Sequence, residues 1–197
     1  MKKIYLSLLA ILMFAGGIFA QTATFGSGTT ANGVSFPIYR SSAGSSFNFS
    51  LGYQVIPASV MTAGGLVNGS TITSLAWVKN TVATMAAGRT ATITIRMKNS
   101  TASQADIAAT WATIISGATT VYTTPTLVLP NTAGNWTIPL TTSFVYTGGA
   151  LEISIDFAFN TGTGSPATAA IPWNYSDNTG TNLSSLSCNN KETEAGS

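Results

Sequence analysis

The sequence predicts an all-β fold, an antiparallel β-sandwich in one domain, on three observations. Short runs alternate apolar and polar residues with a period of two, the pattern of half-buried strands. The runs are rich in Val, Ile, Thr and aromatic residues and are parted by Gly, Asn, Ser and Pro turns. Cys188 is the only cysteine, so no internal disulfide can staple the chain, and its length and apolar content must supply the core instead.

The chain opens MKKIYLSLLAILMFAGGIFAQ, with Lys2 and Lys3, an apolar run from Ile4 to Phe14, and the small residues Ala15, Gly16 and Gly17 ahead of Ala20. A charged start, a short apolar run and a small-residue exit make a secretory signal peptide. Residues 1–20 are therefore expected to be removed, and the mature chain to begin at Gln21. The apolar run falls short of the ~20 residues that cross a bilayer, and no later segment reads as a membrane span. Residues 21–180 are assigned to the sandwich and 181–197 to a polar tail.

The strands are read in order. Val34 to Arg40 (VSFPIYR) and Phe47 to Ile56 (FNFSLGYQVI) come first. Thr71 to Lys79 (TITSLAWVK) places Ile72, Leu75 and Trp77 or their neighbours on a buried face, with an irregularity expected near Ser74. In Thr90 to Lys98 (TATITIRMK), Ala91, Ile93, Ile95 and Met97 point one way and Thr92, Thr94, Arg96 and Lys98 the other. Val121 to Leu129 and Trp136 to Tyr146 follow. In Leu151 to Phe159, Leu151, Ile153, Ile155, Phe157 and Phe159 share one face, leaving Glu152, Ser154 and Asp156 as outward groups. Ile171 to Tyr175 is a weaker strand. Ala105 to Ser116 (ADIAATWATIIS) has spacing compatible with a short helix or an irregular connection. The competing architecture is an outer-membrane barrel, whose strands of ~9–11 residues and aromatic girdles fit several of these runs poorly.

Charge and residue types exclude several function classes. Eight Lys and Arg stand against six Asp and Glu, and removing Lys2 and Lys3 leaves six against six. No basic patch argues for nucleic acid. The sequence contains no His, which removes the usual general base, the Ser-His-Asp relay and the commonest metal ligand. Cys188 has no His to activate it as a nucleophile. Glu152 and Asp156, four apart on one strand, lie roughly 13 Å apart at ~3.3 Å per residue. That exceeds the ~5–9.5 Å of paired glycosidase carboxylates. No catalytic residues are assigned.

Two recognition sites are considered. Asp156 and Asp177 are the candidate metal ligands, for calcium, because hard cations take carboxylate and carbonyl oxygens; otherwise no cofactor is expected. Trp173 and Tyr175, on one face of IPWNYSDN, are the candidate ligand platform, against the simpler reading that sandwich aromatics fill the core. Trp136 is assigned to the core. The Thr90, Thr92 and Thr94 ladder is explained by strand propensity.

In order, GSGTTANGVSFPIYR, GSTITSLAWVKN, the TITIRMKN strand, a tryptophan-containing connection and NWTIPLTTSFVYTGGALEISIDF resemble a β-sandwich module of Bacteroidetes secreted proteins. Such modules stand near the start of multi-domain surface or gliding-associated proteins exported by the type IX system. The resemblance covers roughly Phe25 to Asn178. It implies a jelly-roll-like sandwich used in adhesion, surface assembly or glycan contact, and carries over no catalytic residue. Such modules usually continue into a final apolar strand, whereas Leu183 to Ser197 is polar and then charged. The end is therefore expected to be truncated, leaving one sheet edge open.

The functional expectation is a non-enzymatic, secreted or cell-surface adhesion or structural module whose partner is a surface glycan or protein. Two alternatives are a carbohydrate-binding module that targets a partner enzyme, and a subunit joined to others by strand addition.

Overall fold

A computed structural model describes residues 22–25, 30–32, 38–39, 49–106, 108–160, 167–169, 171–175 and 184–188, with 30–32, 175 and 184–188 described by backbone alone. The expected leader lies outside the described residues, as does the Val34 to Arg40 run apart from Ile38 and Tyr39, which are buried and not in a strand.

The elements are β1 (Thr30–Asn32), β2 (Phe49–Ile56), α1 (Ala58–Ala63), β3 (Thr71–Lys79), β4 (Ala91–Ser100), α2 (Trp111–Ile115), β5 (Thr119–Leu127), β6 (Gly134–Val145), β7 (Ala150–Phe159), β8 (Trp173–Tyr175) and β9 (Ser184–Cys188). They form two antiparallel sheets in the orders β1-β8-β3-β6 and β5-β4-β7-β2-β9. The all-β sandwich class is as the sequence predicts.

Within these sheets β4 pairs β5, β3 pairs β6, β2 pairs β7 and β1 pairs β8. The first eight strands thus make four nested pairs that alternate between the sheets. Each connection on either side of β4 and β5 crosses from one sheet to the other.

Strand β4 shows why the sequence folds this way. Ala91, Ile93, Ile95 and Met97 are fully buried between the sheets, and Thr92, Thr94, Arg96 and Lys98 occupy the outer face. Strand β7 adds Leu151, Ile153, Ile155, Phe157 and Phe159 to the same core. Tyr39 stacks on Phe157 at 4.8 Å and meets Phe159 edge-on at 4.8 Å, a geometry that adds to plain area burial. The irregularity expected near Ser74 is present, as a register shift in the β3–β6 pairing between Ile72 and Ser74.

The turn between β6 and β7 carries the chain from one sheet to the other. Gly148 adopts φ +91°, and a side chain at Gly149 would collide with the Ser100 carbonyl, so VYTGGA needs both glycines. The Tyr146 hydroxyl donates to the Gly149 carbonyl. Asn99 of β4 clamps the crossing from the other side: its Nδ2 donates to the Val145 carbonyl at 3.0 Å, and its Oδ1 accepts from Thr147 N–H at 3.0 Å.

Two of the terminal strands are protected. Strand β5 ends one sheet and β6 ends the other, and each contains a proline, Pro125 and Pro139. Proline lacks the N–H that a recruited strand would need, so it belongs on edges and blunts them. The Thr141 hydroxyl donates to the Val121 carbonyl at 3.0 Å, tying the two edges together.

One feature departs from expectation. The segment read as a polar tail contains β9, which pairs with β2 from Leu51↔Cys188 to Val55↔Ser184. That edge of β2 is thereby covered, and β9 becomes the end of the five-stranded sheet. An edge strand is held by its backbone, so SSLSC pairs without the apolar alternation that would have announced it.

Ile95 lies at the centre of this core. Ile95→Ala is expected to cost about 2–5 kcal/mol. Val67→Ala, at a position 64% exposed, should stay within about 0.5 kcal/mol. Urea unfolding of the two variants against the parent checks both.

Candidate functional site

The alternation of β7 sends Glu152 to the face of the five-stranded sheet that points away from the other sheet. On an open sandwich that face would be wet. Here the connection between β4 and β5, with α2, lies over it. Tyr53, Val55, Ala105, Ile114 and Ala150 form a second small core, with Trp111 and Ile115 packed against it. Glu152 is consequently only 6% exposed, which corrects the expectation of a solvated outward carboxylate.

Register supplies its partners. Glu152 stands directly between Val55 of β2 and Lys98 of β4. Lys98 Nζ lies 2.9 Å from Glu152 Oε2. Opposite charge and this short separation hold the pair. The same ammonium donates to the Ile114 carbonyl at 3.2 Å, so Lys98 ties the central strand to the helix that covers it.

The covering connection is itself fixed locally. Asp106 Oδ1 accepts from Ala108 N–H at 2.9 Å, an Asx-type turn. Thr110 caps α2 by accepting from Thr113 N–H at 3.3 Å. These small devices place Ile114 over the sheet.

Two protonation equilibria are shifted in opposite directions. Burial pushes the Glu152 carboxyl up, but the side chains of Ser100, Lys98 and Tyr53 outweigh it and hold the group below its ordinary value. Burial pushes the Tyr53 hydroxyl well above its ordinary value, and the neighbouring Glu152 pushes it further. At neutral pH the cluster is an anionic carboxylate beside a neutral phenol. General acid–base work favours a pKa near the operating pH, and both groups are moved away from it. The arrangement suits a structural tie between sheet and cover.

The residues singled out from sequence fall as follows. Trp173 is fully buried, with its ring 5.7 Å from that of Trp136, so it is a core residue and not an exposed platform. Its strand is short, but it lies between β1 and β3 and turns its indole inward. Trp136, assigned to the core, is half-buried and packs against it. The Tyr175 backbone pairs with Thr30; its side chain lies outside the described residues. Asp156 shares the outer face with Glu152, opposite Thr94 and Leu51, and is half-buried. Asp177 lies outside the described residues. Among the described residues no group of three or more acidic or Cys side chains is placed to hold a metal ion.

Sequence reasoning missed Tyr53, Lys98 and Ser100 as the partners of Glu152. The available signal was opposite charge on two alternating strands, TITIRMK and ALEISID, which becomes a pair only once their register is known.

Comparison of the chain with protein-family models, curated proteins and solved structures gives no match.

Because the folded Glu152 carboxyl lies below its ordinary value of 4.5, its contribution to stability is complete above about pH 4.5 and is lost as pH falls through the folded value. Glu152→Gln should therefore flatten the acid limb of a stability–pH curve measured by urea midpoint. Glu152→Ala, which leaves Lys98 partly buried without its counter-charge, should cost about 1–3 kcal/mol at pH 7. Trp173→Ala is expected to cost about 3–5 kcal/mol; a variant that melts with the parent would contradict its placement in the core.

Proposed function

We propose that the protein is a non-enzymatic, exported adhesion or structural module of a bacterial cell-surface or secreted protein. The observation that carries this reading is the closed state of the Glu152 cluster: the described constellation richest in titratable side chains is used to fasten α2 to the central strand. Its chemistry goes into holding a scaffold.

The signal-peptide pattern of residues 1–20 supports export, and the resemblance of Phe25 to Asn178 to Bacteroidetes surface modules supports the surface role. The nested pairing of β1 to β8 supports the jelly-roll form, because a long hairpin wrapped into two sheets gives this strand order. Neutral Thr, Ser and Asn residues on the exposed faces suit contact with a surface glycan or protein.

Expression of the full chain with its own leader in a Gram-negative host tests the reading. The expected outcome is a product outside the inner membrane whose first residue, by mass spectrometry, is Gln21, and which on beads retains cells or cell-wall polysaccharide. Cytoplasmic accumulation with Met1 still present, or beads that retain neither, would sink it.

A further inference from the structure

The described residues form two hydrophobic clusters that share no member, and only the larger lies between the sheets. The second, on the outer face of the five-stranded sheet, is small. Tyr53, Val55 and Ala150 form its bed, and Ile114 closes it from above with Ala109, Trp111 and Ile115 packed against it.

The closing segment, Ala108–Gly117, adds no strand to either sheet. Its regular structure is the five-residue α2. Within it, Ile114 N–H donates to the Thr110 carbonyl at 3.0 Å and Ser116 N–H to the Thr113 carbonyl at 3.3 Å, and Ala108, Thr110, Ala112, Thr113, Ser116 and Gly117 are exposed. Few buried apolar groups and backbone bonds that face water put a segment at the low end of local stability. Gly117 adopts φ +70° where the chain turns into β5, which gives the segment a pivot.

Lys98 ties this segment to the sheet. Its Nζ stands 2.9 Å from Glu152 Oε2 and donates to the Ile114 carbonyl at 3.2 Å. The ion pair is strengthened by the apolar cover that excludes water, and the cover is held by the ammonium of that pair. Contacts that reinforce one another in this way are lost together.

We propose that Ala108–Gly117 is a flap that opens as one unit while both sheets stay intact, with the Lys98–Glu152 pair as its latch. Opening uncovers Tyr53 and Val55 on the bed and turns Trp111, Ile114 and Ile115 to water, so the open form carries an apolar surface that the closed form lacks. The inference goes beyond the surface-module reading and holds or fails independently of it.

Native-state hydrogen exchange of the purified protein, followed by NMR through a series of urea concentrations below unfolding, tests the flap. The amides of Thr113, Ile114 and Ser116 are expected to share one protection factor, at least about a hundredfold below those of Ile95 and Ile155. They should respond only weakly to urea, because a small opening exposes little surface. In Glu152→Gln, which keeps the side-chain shape and removes the charge, flap protection should fall by about tenfold or more. The strand amides should fall by the same factor, since the latch is absent from the open and unfolded states alike. Flap amides that match the strand amides in protection and urea slope would show that no separate opening exists. Protection that differs by more than about tenfold among the three flap amides would show fraying instead of a unit. Flap protection unchanged in Glu152→Gln would show that the pair survives the opening. Each of these results overturns the proposal, and the first two are read on the parent protein, so they decide it even where Glu152→Gln fails to fold.

Discussion

Strand β7 has almost no water on either face, and much of the structure answers to that constraint. Its inner face meets the opposite sheet through Ile153, Ile155 and Phe157. Its outer face carries Glu152 and Ser154, both buried. A carboxylate taken out of water must find a counter-charge or give up its own charge. Lys98, across the β4 register, supplies that counter-charge, and Tyr53 and Ser100 satisfy what remains. Because Lys98 also holds the Ile114 carbonyl, the solution to one buried charge becomes the fastening of the connection that buried it. The second small core under α2 then depends on the ion pair, and the ion pair depends on that core to exclude water.

The same economy is visible at the crossings between sheets. Asn99 satisfies both a donor and an acceptor of the β6–β7 turn. At the other end of β7, Asn160 donates from its backbone to the Thr90 carbonyl at 2.9 Å, and from its side chain to Thr90 Oγ1 at 2.6 Å and the Pro125 carbonyl at 2.8 Å. Side-chain amides can do this because they carry donors and acceptors together. Two asparagines thus fix the ends of the central strand without a disulfide.

Much of the fold was legible in the sequence because burial writes a period of two. TATITIRMK and LEISIDFAF gave both strands and both faces, and the broken period around Ser74 gave the register shift. Four things were not legible. The pairing of Lys98 with Glu152 depends on a register that neither strand states alone. The cover over the outer face comes from ADIAATWATIIS, whose apolar spacing is compatible with helix and loop alike, and only Trp111–Ile115 is α-helix. The inward turn of Trp173 depends on neighbours far away in sequence, since WNY between two loops reads the same on a surface as in a core. Strand β9 is polar and held through its backbone, so it leaves no apolar signature.

The nested order of the strands also sets a problem of timing. Only β4 and β5 are neighbours in both sequence and space among the four pairs; β3 must wait for β6, β2 for β7, and β1, at Thr30, for β8, at Tyr175. A chain made or threaded from its N-terminus therefore presents three strands before any of their partners has arrived. Such distant pairings fold slowly and leave unpaired edges exposed meanwhile. The β4–β5 pair closes the shortest loop of the four, and β1 and β2 are the strands that wait longest in the sequence for a partner.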